Sequence, residues 1–203
     1  MSTENQTDIA IIKLPGVRLS FPRLFKPHAM EEGQTPKYSA SFIMDNEKHG
    51  ALLDKIEKTI ERLALDFWKK KTPFKSCLHD GNDKADKDGY GDGVSYINAS
   101  RTTRPAVVDR QVNPLTEEDG IIYAGCYVNA TIRLWVQDNK FGKRVNAELR
   151  AVQFLKDGES FGAAPVNAEN EFEAIADGDE GSSSPRSSGR SRSSGGKPSV
   201  DDY

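Results

Sequence analysis

Residues 121–155 read IIYAGCYVNATIRLWVQDNKFGKRVNAELRAVQFL and contain the two longest strand candidates of the chain. Apolar and polar residues alternate on both sides of the polar, glycine-containing segment DNKFGK at 138–143. Alternation with a period of two is the pattern of a half-buried strand, and a short polar turn joins two such strands into a hairpin. The stretch therefore predicts a long antiparallel hairpin, with one strand over 121–137 and the other over 144–155.

The two faces of this hairpin have different chemistry. Its predicted interior residues are Val128, Ala130, Ile132, Leu134, Val136, Val145, Ala147 and Leu149. The opposite face carries Tyr127, Asn129, Thr131, Arg133, Trp135, Gln137, Arg144, Asn146, Glu148 and Arg150, and the tip carries Lys140, Phe141 and Lys143. Flat rings accept unstacked bases while Arg and Lys neutralise phosphates, so this face favours a single-stranded nucleic acid. A solvated sheet face with one packed Trp explains the same pattern.

The remaining segments surround this hairpin with further strands and one helix. Residues 9–25 predict two short strands or one bent strand, broken at Pro15-Gly16, and 37–45 alternates as a half-buried strand. A helix is predicted from Asp45 or Asn46 to about Lys70. Its apolar stripe is Leu52, Ile56, Ile60, Leu63 and Phe67. A loop over 71–93 precedes strands over 94–101 and 106–109. This order predicts a mainly β fold, a small antiparallel barrel with an inserted α-helix.

Charge and composition divide the chain into three parts. Residues 1–8 are polar and predict a flexible N-terminus, 9–172 predict the folded domain, and 173–203 predict a disordered acidic, Ser/Arg/Gly-rich tail. The formal net charge is −3, but eight acidic and four basic residues fall within 169–203. The rest of the chain holds 23 acidic and 24 basic residues, which permits a basic groove.

Few residues suggest catalysis or metal binding. Cys77 and Cys126 form no CxxC pair, and free thiols suit a reducing compartment. Asp86, Asp88 and Asp92 could bind a hard cation, but lysines interrupt them, so a solvated loop is the favoured interpretation. The sequence contains no nucleophile-elbow or HExxH motif, which predicts a protein that is not an enzyme and has no cofactor. No apolar run approaches the length of a membrane span, so neither a signal peptide nor a membrane partner is expected.

Two motifs carry a resemblance to a known family. They are YINASRTTRP at 96–105 and DGIIYAGCYVNATIRLW at 119–135, supported by LSFPRLFKP at 19–27 and PKYSASFIMD at 36–45. Over about residues 9–162 the chain resembles a phage family of single-stranded-DNA-binding proteins with an OB-fold, long catalogued as a domain of unknown function. The resemblance implies an OB-type β-barrel that binds single-stranded DNA without sequence preference in phage replication or recombination. It also implies a location in the cytoplasm of the infected bacterial host.

The motifs and the hairpin together predict the binding residues. The positions that match the family are Tyr96, Asn98, Arg101 and Arg104 in the first motif, and Tyr123, Tyr127, Asn129, Arg133 and Trp135 in the second. We expect DNA to contact Tyr96, Arg101, Arg104, Tyr127, Arg133, Trp135, Lys140, Phe141, Lys143 and Arg144.

Single-strand-binding proteins often carry an acidic tip with an aromatic residue. Asp201, Asp202 and Tyr203 resemble such a tip, which implies contacts with replication or recombination proteins. Three alternatives stay open: a metal-dependent nuclease using Asp86, Asp88 and Asp92, a protein that coats both single- and double-stranded nucleic acid, and an adaptor acting through its tail. The sequence leaves a homo-oligomer open.

Overall fold

The structure is a computed structural model that describes residues 10–29 and 31–162. All of them lie in the first of two units into which the chain divides, Met1–Ala164 and Pro165–Tyr203. The described elements are, in order, β1 (Ala10–His28), β2 (Lys37–Asp45), α1 (Gly50–Trp68), β3 (Leu78–Asp80), a 3-10 turn (Gly81–Lys84), β4 (Val94–Arg101), β5 (Ala106–Val108), β6 (Tyr127–Asn139) and β7 (Gly142–Lys156).

Five of these strands close into a barrel. β1 pairs with β2 and with β6, β2 pairs with β4, and β6 pairs with β7, all antiparallel. β4 then pairs in parallel with β7, through Ala99 with Ala147 and Ser100 with Glu148. A closed barrel leaves no free edge among its five strands. The predicted mainly β barrel, with α1 inserted between β2 and β4, is confirmed.

Alternation along β6 and β7 places the core as the sequence predicts. Val128, Ala130, Ile132 and Leu134 are buried, and so are Val145, Ala147 and Leu149. The buried face of α1 packs over this core through Leu53, Ile56, Ile60, Leu63 and Ala64. Each buried aliphatic side chain contributes roughly 1.5–3 kcal/mol to stability. The barrel is therefore stabilised from inside, and the outer faces of its strands are left for other roles.

The strand predicted over 121–137 is wrong at its start. β6 begins at Tyr127, because Gly125 takes φ 106 and turns the chain. The amide of Gly125 donates to the carbonyl of Leu19 at 2.7 Å, and a Cβ at this position would collide with the carbonyl of Glu159. This packing needs glycine. At the other end β6 runs to Asn139, so the hairpin loop is only Lys140 and Phe141.

The helix prediction needs two corrections. α1 begins at Gly50, because the Asp45 carboxylate accepts bonds from the amides of Glu47 and Lys48, both at 3.0 Å, and makes a turn there. Phe67 was predicted on the apolar stripe but is 43% exposed. The helix ends at Trp68, where Lys69 adopts φ 57 and donates its amide to the carbonyl of Leu65.

The structure refines the expectation for three other segments. β1 is one long strand with register shifts after Leu14 and Ser20, which decides between the two alternatives for 9–25. β2 buries both faces, because Ser41 and Ile43 are buried as well as the predicted interior residues. The loop predicted over 71–93 contains β3 and the 3-10 turn, and its Asp80 carboxylate accepts from the amide of Asn82.

Candidate nucleic-acid interface

The outer side of the hairpin carries a partly exposed tryptophan of the predicted site. We call the surface formed by Arg133, Trp135, Gln137, Arg144, Asn146 and Glu148 the hairpin face. The Trp135 side chain is 41% exposed, and its backbone partner on β7 is Asn146. Asn146 donates to the side-chain oxygen of Gln137 at 3.1 Å, so polar amides surround the ring. An indole in this position offers a flat surface for an unpaired base.

Two of the predicted cations on this face share one carboxylate. Arg133 forms an ion pair with Glu148, its cross-strand partner, and Arg101 Nε lies 3.5 Å from the other oxygen of Glu148. Both arginines are about one third exposed. The trio has a net charge of +1, and Glu148 holds both guanidinium groups on the side of the sheet where Trp135 follows Arg133 by two residues.

The hairpin tip divides into an exposed part and a structural part. Phe141 is exposed, and Lys140 Nζ lies 5.1 Å from its ring centroid, so these two residues are accessible to a ligand. Lys143 instead lies 3.2 Å from the Asp138 carboxylate and 5.2 Å from the Trp68 ring centroid. Trp68 Nε1 donates to the same carboxylate at 2.8 Å, and these two bonds hold the pKa of Asp138 below its usual value. Lys143 therefore fastens α1 to the hairpin.

Arg144 is paired through the backbone with Gln137, at the tip end of the hairpin face. Its Nε is buried without a hydrogen-bond partner in the described part of the chain. Arg133 Nε on this face is likewise buried without a partner among the described residues. Buried donors usually have a partner, so these two arginines are the described cations whose hydrogen bonding at a buried donor is incomplete.

Tyr127 and Arg104 contact other groups. Tyr127 is half-buried at the start of β6, with the Arg18 guanidinium 5.6 Å and Lys156 Nζ 4.7 Å from its ring centroid. Arg104 is exposed beyond the end of β4, with its guanidinium 5.6 Å from the Phe25 ring centroid. The structure thus brings Arg101, Arg133 and Trp135 together, and it places Tyr127 and Arg104 in separate clusters.

Tyr96 is not an exposed ring. It is 3% exposed, and it stacks on His79 with centroids 4.9 Å apart and planes 21° apart. Tyr90 meets it edge-on at 5.0 Å, and Lys84 Nζ lies 4.5 Å from its centroid. Burial raises the pKa of the Tyr96 hydroxyl and lowers the pKa of His79. The segment over 79–90 covers this ring, so a base cannot reach it in this arrangement.

Sequence reasoning missed the role of Glu148. A two-residue loop at Lys140-Phe141 fixes the cross-strand register and pairs Arg133 with Glu148. A turn assigned to the whole segment 138–143 does not fix which residues of the two strands are paired. A shorter loop assignment would have predicted the ion pair, because residues directly opposite on one face lie close enough to interact.

The acidic loop gives no metal site. Asp86 pairs with Lys87 Nζ at 2.7 Å, and the Asp88 carboxylate accepts from the amide of Gly162 at 2.8 Å. Within residues 10–29 and 31–162, no three His, Cys, Asp or Glu side chains are arranged to hold a metal ion. None of the helices in these same ranges could cross a membrane. Asp201, Asp202 and Tyr203 lie outside the described residues.

Comparison with known proteins identifies the family. The family described as "Enterobacter phage Enc34, ssDNA-binding protein" matches residues 10–182. The chain belongs to this family. The chain is also similar to putative protein p50 of Acyrthosiphon pisum secondary endosymbiont phage 1. That protein is 39% identical over 176 residues, which cover 81% of this chain and 94% of the relative.

Solved structures agree with the family assignment. The single-stranded DNA-binding protein of bacteriophage Enc34, in complex with ssDNA, matches with a TM-score of 0.69 and 38% identity, covering 75% of this chain and 89% of that chain. The single-stranded DNA-binding protein gp2.5 of bacteriophage T7 has a TM-score of 0.53 at 17% identity, over 83% of this chain and 99% of that one, and shares the fold. The resemblance inferred from the two motifs and the OB-type fold class are confirmed.

Proposed function

We propose that this Enc34-type protein binds single-stranded DNA without sequence preference on its hairpin face and protects it during phage replication and recombination. The observation that carries the proposal is the half-exposed Trp135 ring beside the fixed guanidinium groups of Arg133 and Arg101. The solved complex of the related Enc34 protein with ssDNA supports it.

Each part of the face has a distinct task in this proposal. An unpaired base stacks on Trp135, and a second base stacks on the exposed ring of Phe141. Stacking is worth about 1–3 kcal/mol per base and does not depend on which base is present. Arg133, Arg101 and Lys140 neutralise the phosphates between stacked bases, and Asn146 bonds to base edges or to the sugar. A paired duplex offers no free base face, so single strands are preferred.

The proposal includes the setting in which the protein acts. It acts as a binding protein and not as an enzyme, which agrees with the engagement of Asp86 by Lys87 and of Asp88 by the backbone amide of Gly162. It coats exposed strands in the cytoplasm of the infected host. The domain spans residues 9–172, and Asp201, Asp202 and Tyr203 contact replication or recombination proteins.

A fluorescence-anisotropy titration tests the function. A labelled homopolymer of about 16 nucleotides, near the upper site size of one OB domain, is titrated at two salt concentrations. Wild-type protein should bind more tightly at low salt and prefer the single strand over its duplex. Trp135→Ala should weaken binding about five- to 150-fold, the equivalent of about 1–3 kcal/mol.

Phe67→Ala is the matched control, because Phe67 is equally exposed but lies on α1. It should bind as the wild type does. Failure of wild-type protein to bind the single strand at low salt refutes the proposal. Equal affinity for single and double strands would instead make it a general coating protein.

A further inference from the structure

We propose that Phe21, Lys84 and Tyr90 form a second stacking subsite, which takes a base and its phosphate from the same strand that Trp135 binds. This inference rests on the proposed function and extends it from one surface to a path around the barrel. Its three side chains come from the bulge of β1 and from the segment over 81–93, and none of them is among the DNA-binding residues predicted from the sequence.

One cation lies at the centre of three rings. Lys84 Nζ is 5.1 Å from the centroid of Phe21, 5.3 Å from that of Tyr90 and 4.5 Å from that of Tyr96. The Phe21 and Tyr90 centroids are 6.2 Å apart. Tyr96 is buried beneath them and supports the cluster, while Phe21 is 45% exposed. A base that stacks on Phe21 therefore has a lysine within reach of its phosphate.

The backbone at Phe21 is strained in a way that core packing does not require. Phe21 adopts φ 47, in the left-handed region, although it is not glycine and is followed by Pro22. A residue before proline favours extended backbone, and such strain clusters at functional sites. Here the register shift between Ser20 and Arg23 holds the ring out into solvent. The ring contacts Tyr90 and Lys84 but leaves 45% of the residue exposed, so the strained backbone presents an aromatic surface that a ligand can reach.

The segment that carries Lys84 and Tyr90 is fixed in place. Gly81 is buried where a Cβ would collide with Val94, and its carbonyl accepts from the amide of Gly91 at 3.1 Å. The amide of Asn46 donates to the carbonyl of Gly93 at 2.9 Å. Burial lowers the pKa of Lys84, and a partly desolvated cation attracts a phosphate more strongly. The subsite is preorganised for an anion beside a ring.

Strand register connects this subsite to Trp135. Backbone pairing connects five residues across neighbouring strands of the barrel. The pairs are Arg23 with Ser39, Ser39 with Ser100, Ser100 with Glu148, and Glu148 with Arg133. These are four strand-to-strand steps, about 19 Å at about 4.8 Å each. Phe21 precedes Arg23 by two residues, and Trp135 follows Arg133 by two residues. Because β1 and β6 run in opposite directions, Phe21 and Trp135 are displaced from these pairs toward the same end of the barrel. Asn98 precedes Ser100 by two residues on β4, so it lies toward the same end of the barrel between Phe21 and Trp135, and it is exposed.

Substitutions at Phe21 test the subsite by anisotropy with the same homopolymer. Phe21→Leu should lose about five- to 150-fold in affinity, because it keeps an apolar side chain without a flat ring. Phe21→Trp should bind as the wild type does. Lys84→Gln should make the slope of log K against log salt shallower by about 0.7, the value for one phosphate on a single strand. Phe67→Ala again serves as the control.

Phe21→Gly separates a binding role from a structural one. Glycine removes the ring and adopts φ 47 without steric strain, which offsets part of the lost contact with Tyr90 and Lys84, so the melting temperature should change little while affinity falls. The subsite is overturned if Phe21→Leu and Phe21→Gly bind within twofold of wild type while Trp135→Ala loses affinity. That result leaves the proposed function standing, whereas a wild-type protein that fails to bind refutes the function itself.

Discussion

Glu148 is the residue whose replacement should strengthen DNA binding. It is the shared anion of Arg133 and Arg101 on the hairpin face, and its side chain is 17% exposed. Glu148→Gln keeps the shape and removes the charge. The net charge of residue 148 with Arg133 and Arg101 then changes from +1 to +2, so both guanidinium groups become available to phosphates. We expect tighter binding of single-stranded DNA and a steeper dependence on salt.

The size of the effect follows from the geometry. Two unit charges about 4 Å apart interact with about 4 kcal/mol at an effective dielectric constant of 20. The arginines are about one third exposed, and exposed pairs usually contribute about 1 kcal/mol or less. A gain of about 1 kcal/mol corresponds to about a fivefold increase in affinity. One extra phosphate contact makes the salt slope steeper by about 0.7.

The assay is the anisotropy titration over a series of salt concentrations, with wild type and Glu148→Gln side by side. Glu57→Gln is the control, because it makes the same change in net charge at an exposed position of α1. A gain shared by both variants would be a general charge effect. Weaker binding by Glu148→Gln, with a melting temperature close to wild type, would refute the reasoning and show that the carboxylate holds Arg133 in its binding position.

Two further predictions concern the fold. Gly125→Ala should lower the melting temperature by about 4–8 °C, because φ 106 is unfavourable for alanine and its Cβ meets the Glu159 carbonyl, together about 2 kcal/mol. Gly142→Ala, at φ 102 but with no described atom within 4 Å of its Cβ, should lower the melting temperature less than Gly125→Ala does. Calorimetry compares the two melting temperatures. Burial raises the pKa of Cys77 to about 12 and also raises that of Cys126. Since only the thiolate reacts, Ellman's reagent at about pH 8 should modify neither thiol until the protein is unfolded in denaturant; rapid reaction of native protein would contradict their burial.

Local patterns were sufficient to predict the barrel strands and the hairpin faces. The period of two places Ile132 and Leu134 inside and Arg133 and Trp135 outside whatever lies around them, because successive side chains on a strand point to opposite faces. Residues 121–126 show a similar apolar run, yet they turn. The difference comes from Gly125, which packs against Glu159, and no pattern within the run indicates that contact.

The candidate site was harder to predict because its members come from distant parts of the chain. Lys143 carries a charge at the hairpin tip, but Trp68 and Asp138 engage it, and Trp68 lies on the helix. Tyr96 belongs to a family motif, but a segment without periodicity folds over it. Residue type predicts which side chains can bind DNA, while tertiary contacts decide which ones remain accessible.

The charges on the hairpin face are arranged to limit electrostatic attraction. Glu148 offsets the charge of one of its two partners, Arg133 and Arg101, and at the hairpin tip Asp138 offsets the charge of Lys143. Without these carboxylates the surface would attract DNA more strongly. Electrostatic affinity falls steeply with salt, whereas the base stacking proposed for Trp135 and Phe21 does not depend on counterions. A protein that derives more of its affinity from rings keeps binding single strands at cellular ionic strength. It also gains selectivity, because a duplex offers equal charge but no free base faces.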